Sequence, residues 1–194
     1  MTDDEYEAER SKIMHKLRLP VIRNTLAFAG LFQITHELIK WSVIERTKSF
    51  FGFVQVGDSN EWLGGDDAKS EYQDKVLSRA PKSPFRASLS WLVHMGALSD
   101  SQSIVLERIY LHRHDLTHEL LKYVVDSSQS PDVELLLEAV SIFKSLDRFW
   151  LEVEVEIGML DKFGDVSVEE IDSGTSLALT LCLQAYLEGL EQEI

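Results

Sequence analysis

The stretch PVIRNTLAFAGLFQITHELIKWSVIERTKSFFGF, residues 20–53, decides the fold. Pro20 suits the first turn of a helix, where its missing N–H leaves no helical hydrogen bond unmade. Behind it, one row repeats at helical spacing and includes the polar Gln33. Its other members are Ile22, Leu26, Ala29 or Gly30, Ile34, Leu38, Trp41, Ile44 and Phe51. The stretch therefore predicts a single long helix that ends near Phe53.

The flanking sequence predicts further helices, separated by a few clear breaks. A charged helix covers about residues 3–18, and another covers about residues 85–95. Ser99 followed by Gln102 fits a capping box that opens a helix to about residue 126. Pro131, with Asp132 in the first turn, opens the next helix, and a last apolar helix covers about residues 175–191, where we expect Cys182 to be buried.

Two segments depart from this simple helical pattern. Residues 53–84 are polar and rich in glycine, which predicts an irregular insertion with a short helix over residues 71–79 and Trp62 as its anchor. The segment WLEVEVEIG, residues 150–158, alternates like a strand. However, Phe143, Leu146, Trp150 and Val153 continue one helical row, so we expect a helix to about residue 160. The sequence as a whole predicts an all-α bundle with two or three long helices in a single domain over residues 1–194.

Composition and charge limit the classes of function. The chain has 44% hydrophobic and 27% charged residues, an ordinary globular balance, and its single cysteine fits a reducing compartment. The acidic start MTDDEYEAERSK predicts no secretory signal peptide, and no apolar window is long enough for a bilayer, so we expect a cytoplasmic protein without membrane contact. A net charge of −14 argues against broad binding of DNA, whereas local contact with a few phosphates stays possible.

The stretch RHDLTHELLKY, residues 113–123, is the candidate reaction centre. One interpretation is an ordinary polar helix face, which commonly carries such residues. A second is a zinc site, because His114 and His118 are four residues apart and share a helix face, although no third ligand is evident. Neither explains why His112, Arg113 and both of these histidines follow Arg108 so closely in an acidic chain.

A phosphate-handling site uses these residue types best. The guanidinium of Arg113 offers a planar fork for phosphate oxygens, and a histidine can carry protons near neutral pH. RNA supplies its own nucleophile, the 2′-hydroxyl, so the chemistry needs no metal and no cofactor in principle. These residue types therefore favour a site that acts on a phosphodiester.

The sequence Arg113-x4-His118, with the polar His114 directly after the arginine, resembles the signature of the HEPN superfamily of helical bundles. The resemblance extends to a long preceding helix and covers about residues 20–160. It implies a metal-independent endoribonuclease in which Arg113 and His118 are the catalytic pair and His114 holds the motif's polar position. It also implies single-stranded RNA as substrate, a homodimer, and an antitoxin or regulatory protein as partner in a toxin–antitoxin or phage-defence module.

The chain departs from this family at two positions. Leu120 stands where some members carry a tyrosine that an antitoxin modifies, and Glu37 and Lys40 are one residue too close for the E-x3-K element of some branches. Many members of the family are also inactive scaffolds. The alternative function is therefore a non-catalytic HEPN-like binding or regulatory subunit.

The spacing of Arg113 and His118 bears on how a site would be assembled. Residues five apart lie about 140° around a helix, so Arg113 and His118 diverge unless a second copy completes the site.

The segment THELIKW at residues 35–41 is similar to THELLKY at residues 117–123. This similarity is most simply a coincidence of helix composition, but antiparallel packing would bring His36 and Glu37 into the cleft of His118.

Overall fold

The structure, a computed structural model, describes residues 2–56, 59–159, 168 and 171–191, and only the backbone of residues 55, 56 and 191. Its helices are α1 (Asp3–Lys16), α2 (Leu19–Phe50), α3 (Gly65–Lys75), α4 (Pro84–His94), α5 (Asp100–His118), α6 (Leu120–Val125), α7 (Val133–Glu156) and α8 (Gly174–Glu191). Two short strands, β1 (Phe53–Val56) and β2 (Ser59–Trp62), form an antiparallel hairpin. The expected all-α class is confirmed, with α2 and α7 as the longest elements.

The core lies where α2 packs against α7, and α4, α5 and α8 flank this pair. The indole Nε1 of Trp150 donates a buried hydrogen bond of 3.1 Å to the backbone oxygen of Ser42, which fixes the two helices relative to each other. Arg46 lies over the ring of Trp150 and pairs with Glu154 at 2.6 Å. These contacts join α2 and α7 through polar groups as well as through apolar packing.

The buried face of α2 coincides only in part with the row that predicted the helix. The buried residues include Phe28, Leu31, Phe32, Thr35, Ile39 and Val43. Within the row, Ala29, Leu38 and Ile44 pack against the core, whereas Leu26, Ile34 and Trp41 remain 48%, 45% and 41% exposed. The reason is that α2 carries apolar residues almost all round, so periodicity predicts the helix but does not select the face that is buried.

The segment of residues 53–84 is more regular than expected. It begins with the hairpin and continues with α3, which starts six residues before the expected short helix at residue 71. Gly52 turns the chain into β1 with a φ of 92°, a conformation that glycine adopts without steric cost. Trp62 packs against Phe53 and Tyr72 with ring centroids 5.1 Å and 5.4 Å apart, so its expected role as the anchor is confirmed.

Of two helix predictions for the second half of the chain, one is confirmed except for its end and the other is wrong. The segment that alternates like a strand is helical through Glu156, as the row of Leu146, Trp150 and Val153 predicted, but the helix ends there and not near residue 160. The helix expected over residues 99–126 is instead two helices, because Glu119 leaves the helical region with a φ of −122° and a ψ of 22°. This break directly follows His118.

The last helix lies at the edge of the bundle. Leu179 is buried and Leu183 and Tyr186 pack against the core, whereas Leu177 and Leu181 remain more than half exposed. The expectation that Cys182 is buried is therefore wrong, because only one side of α8 contacts α2 and the thiol lies outside that contact.

Candidate functional site

Helix α5 carries the Arg113-x4-His118 motif and is fixed at its start by a capping box. The Ser99 hydroxyl accepts from the N–H of Gln102, and the Gln102 side chain accepts from the N–H of Ser99. The buried side of the helix is formed by Leu106, Ile109 and Leu116. The motif therefore occupies the last two turns of a helix whose inner face is anchored in the core.

Arg113 faces α2. Its Nε donates to the side-chain oxygen of Gln33 at 2.8 Å, and one terminal nitrogen lies 3.4 Å from a carboxylate oxygen of Glu37. The arginine side chain is 26% exposed. Gln33, the polar member of the α2 row, therefore orients the guanidinium of Arg113.

His114 and His118 lie on the exposed side of α5. Their ring centroids are 4.4 Å apart, as residues one turn apart on a helix allow. Both residues are exposed, and Leu111, three residues before His114, is 65% exposed. The end of α5 therefore presents two neighbouring imidazoles beside an exposed leucine.

Within one chain, the structure does not bring the expected catalytic pair together. Arg113 points towards Gln33 and Glu37, whereas His118 lies on the side of α5 that is open to solvent. The helix is regular between the two residues, and its break comes only at Glu119. A site that uses both side chains on one phosphate therefore needs a second copy of the chain or a rearrangement of α5.

The cluster of cationic residue types in the sequence separates in the structure. The ring of His112 packs between Phe32 and Tyr123 with centroids at 4.9 Å and 5.9 Å. Burial lowers the pKa of His112, and its Nε2 accepts a 3.4 Å hydrogen bond from the N–H of Asp132, which requires the neutral ring. Arg108 pairs with Glu138 at 3.4 Å. His112 is therefore part of the packing between helices, whereas Arg108 forms a surface ion pair with α7.

A groove of about 890 Å³ lies between α2, α4 and α5. Arg113 lines it, but the described lining residues include neither His114 nor His118. Its walls are His36, Glu37 and Lys40 from α2, the cap residue Ser83 before α4, Phe85, Arg86, Leu89 and Ser90 from α4, and Ser103, Ile104, Leu106, Glu107, Tyr110, Leu111 and Arg113 from α5. Sequence reasoning missed this groove because its residues come from three separate helices.

His36 is the least exposed polar side chain of the groove. The residue is 8% exposed, and its Nδ1 is buried without a hydrogen-bond partner. A carboxylate oxygen of Glu37 lies 3.5 Å from this nitrogen, too far for a hydrogen bond but close enough to attract a proton. Burial lowers the pKa of His36, and Arg113 also lowers it, so the ring is neutral near pH 7.

The two THEL segments do not form the shared cleft that antiparallel packing would give. His36 and Glu37 line the groove with Arg113, whereas His118 is not among the described lining residues. Thr117 donates to the backbone oxygen of Arg113 and lies 3.5 Å from Gln33, while Thr35 donates to the backbone oxygen of Leu31 within α2. The similarity of the segments therefore has no structural counterpart.

Comparison with protein-family models, curated proteins and solved structures found no match to this chain. The resemblance to the HEPN superfamily therefore rests on the motif and its helical setting. Among the described residues, no three histidine, cysteine, aspartate or glutamate side chains form a group that could hold a metal, so the zinc interpretation of His114 and His118 gains no third ligand. No helix in the described part of the chain is long and apolar enough to cross a membrane.

Proposed function

We propose that this chain is a metal-independent endoribonuclease of the HEPN type, which cleaves single-stranded RNA as a homodimer in a toxin–antitoxin or phage-defence module. The observation that carries the proposal is the arrangement of three side chains. Arg113 is oriented by Gln33 and partly exposed, while His114 and His118 lie exposed beside each other at the end of α5. One oriented cation and two accessible imidazoles are what the reaction requires.

In the proposed reaction, a histidine removes the proton of the 2′-hydroxyl, and the freed oxygen attacks the adjacent phosphorus. The bond from phosphorus to the 5′-oxygen breaks, and that oxygen takes a proton from the second imidazole. Arg113 stabilises the extra charge on the phosphorane oxygens. His118 carries one proton transfer and His114 the other, and the product is a 2′,3′-cyclic phosphate with a free 5′-hydroxyl.

Two copies of the chain are needed because Arg113 and His118 diverge on one helix. Arg113 and His118 are equally far along α5 from the midpoint between residues 115 and 116. A twofold axis next to that midpoint would therefore set Arg113 of each copy opposite His118 of the other copy. Exposed leucines stand on both sides of this point: Leu111 is 65% exposed and Leu121 is 71% exposed. An antiparallel pairing of the two α5 ends, together with the start of α6 that carries Leu121, would bury these leucines and enclose the imidazoles.

The experiment is a cleavage assay with single-stranded RNA in excess EDTA. We expect cleavage to survive chelation and the matching DNA to resist, because DNA lacks the 2′-hydroxyl. His118→Ala should slow cleavage by about 10²–10⁴-fold through loss of the proton carrier. Arg113→Ala should slow it by about 10²–10³-fold through loss of charge stabilisation. The matched controls are His15→Ala, which removes an exposed histidine of α1, and Arg108→Ala, which removes a surface arginine of α5 outside the motif.

Equal cleavage by the wild type and all four variants would show a contaminating nuclease. Cleavage that stops in EDTA would contradict the metal-independent mechanism. Circular dichroism of each variant separates loss of chemistry from loss of fold.

A second candidate is a non-catalytic HEPN-like binding or regulatory subunit. The observation that favours it is the engagement of Arg113, whose guanidinium already contacts Gln33 and Glu37 within the same chain. The net charge of −14 is also easier to reconcile with a protein partner than with RNA. Absence of cleavage for every RNA tested, together with a tight protein partner recovered from the native host, would select this candidate.

A further inference from the structure

The groove between α2, α4 and α5 has the size and the wall chemistry of a ligand site. Its volume of about 890 Å³ is several times that of a bare phosphate and is suited to a nucleotide. Phe85 and Leu89 from α4 and Ile104 from α5 supply an apolar surface, while His36 and Tyr110 supply polar edges. Apolar walls with a few placed polar groups are typical of sites for flat heterocycles.

His36 is the most buried polar side chain that lines the groove. It is 8% exposed, and its Nδ1 makes no hydrogen bond. The Glu37 carboxylate, 3.5 Å away, favours the proton on Nδ1 of the neutral ring. Nε2 is then an acceptor, and it suits the N–H of an uncharged ligand better than a phosphate.

Tyr110 supplies a stacking surface at the mouth of the groove. Its ring is 56% exposed and its centroid lies 6.2 Å from that of His36. Tyr110 also precedes His114 by four residues, so the two side chains lie one turn apart on α5. A base held by Tyr110 would therefore be close to the imidazoles at the end of the helix.

The charges of the groove favour a strand with phosphates. Three cations line it, Lys40, Arg86 and Arg113, and each pairs with one of the two anions of the wall, Glu37 and Glu107, which leaves one positive charge in excess. The whole chain carries −14. Against that background, the groove is a place where a single phosphate could be held without broad binding of nucleic acid.

We propose that this groove binds one base of single-stranded RNA, with Tyr110 stacked on the base and His36 accepting a hydrogen bond from its edge. The inference rests on the proposed function for the identity of the strand, and it adds a base-binding subsite beside the reacting phosphate. It assigns to His36 and Tyr110 a role in substrate binding that is separate from the proton transfers of His114 and His118.

The test measures binding of fluorescein-labelled octamers of adenylate, uridylate and cytidylate by fluorescence anisotropy. The full-length His118→Ala protein is used so that no octamer is cut. Adding Tyr110→Ala should weaken binding about tenfold or more, because stacking of a base on an aromatic ring is lost. Tyr110→Phe should keep the affinity. Tyr6→Ala is the matched control, since Tyr6 is 55% exposed on α1, close to the 56% of Tyr110.

His36 should add to the affinity for all three octamers, because adenine, uracil and cytosine each carry an N–H donor. His36→Phe keeps an aromatic ring of similar size but removes the acceptor, so binding of each octamer should weaken. Circular dichroism and thermal unfolding show whether this buried substitution keeps the fold. A folded His36→Phe protein with unchanged affinities would overturn the role of His36.

The outcomes separate this inference from the proposed nuclease. Equal binding by the Tyr110→Ala and Tyr6→Ala proteins would overturn the subsite even if the wild type cleaves RNA. Loss of binding with Tyr110→Ala alone would support the subsite even if no RNA is ever cleaved. Failure of all three octamers to bind the His118→Ala protein would overturn the subsite.

Discussion

His112 and His114 are two residues apart, yet one is part of the core edge and the other faces solvent. The sequence could not separate them, because their environments depend on Phe32 and Tyr123, which come from other helices. Arg113 shows the same dependence, since its partners Gln33 and Glu37 are about eighty residues away. The sequence could therefore predict the chemistry-bearing residues of the motif but not which of them share a surface.

The neutral state of His112 leads to a prediction about pH. The pKa of His112 is lowered in the folded state, so as the pH falls the unfolded chain binds a proton before the folded chain does. The contribution of the neutral His112 to the unfolding free energy is therefore present above about pH 6.5 and lost below it. His112→Phe removes this titration while it keeps a ring between Phe32 and Tyr123. Urea unfolding at about pH 7.5 and about pH 5.5 should show a smaller loss of unfolding free energy for the variant than for the wild type.

His36 provides the internal check on this measurement. Its pKa is also lowered by burial, and it remains in the His112→Phe protein, so the variant should keep part of the acid sensitivity. An equal loss of unfolding free energy in both proteins would show that protonation of His112 does not destabilise the folded state.

Two glycines should respond oppositely to the same substitution. Gly52 has a φ of 92°, and an added Cβ would lie 2.6 Å from the backbone oxygen of Leu63, which cannot move without opening the hairpin. Gly52→Ala should therefore lower the unfolding free energy by about 1–3 kcal/mol. Gly30 lies within α2 with nothing within 4 Å of an added Cβ, so Gly30→Ala should raise it by about 0.5–1 kcal/mol. Urea unfolding of the two variants measures both changes. If both substitutions changed the unfolding free energy in the same direction, the different roles given to Gly52 and Gly30 would be wrong.

Helix α5 determines the position of the motif, and its capping box is open to a direct test. Ser99→Ala removes the acceptor for the N–H of Gln102 and should cost about 1 kcal/mol of unfolding free energy. Ser49→Ala, at an exposed position in the last turn of α2, is the control and should change the unfolding free energy little. If the two substitutions have equal effects on urea unfolding, the cap does not stabilise α5.

Some local signals in the sequence were sufficient to locate the start of a helix. Pro20 and the Ser99–Gln102 box placed two helix starts within a residue or two, because capping is a local effect. The break at Glu119 had no equally strong local signal. At the break, the Tyr123 hydroxyl donates to Asp115 at 2.8 Å and holds α6 against α5, a contact that depends on tertiary packing.

At the scale of the whole molecule, the proposed site predicts self-association through the end of α5. Leu111, which is 65% exposed, lies in the proposed contact, whereas Leu137, which is 59% exposed, lies on α7 outside it. Light scattering at micromolar concentration should show a dimer for the wild type and for Leu137→Glu, and a monomer for Leu111→Glu. A wild-type protein that is strictly monomeric would contradict the shared site.

The sharpest test asks whether Arg113 and His118 act from different copies. Arg113→Ala and His118→Ala proteins, each inactive alone, are mixed with differently tagged chains, and co-purification of both tags confirms exchange. Random pairing makes about half of the dimers mixed, and a mixed dimer keeps one of its two shared sites, so cleavage should recover to about a quarter of the wild-type rate. If each site instead used both residues of one chain, every site in the mixture would lack one of them. No recovery despite confirmed exchange would therefore place both residues within one chain, and α5 would have to distort to bring Arg113 and His118 onto the same phosphate.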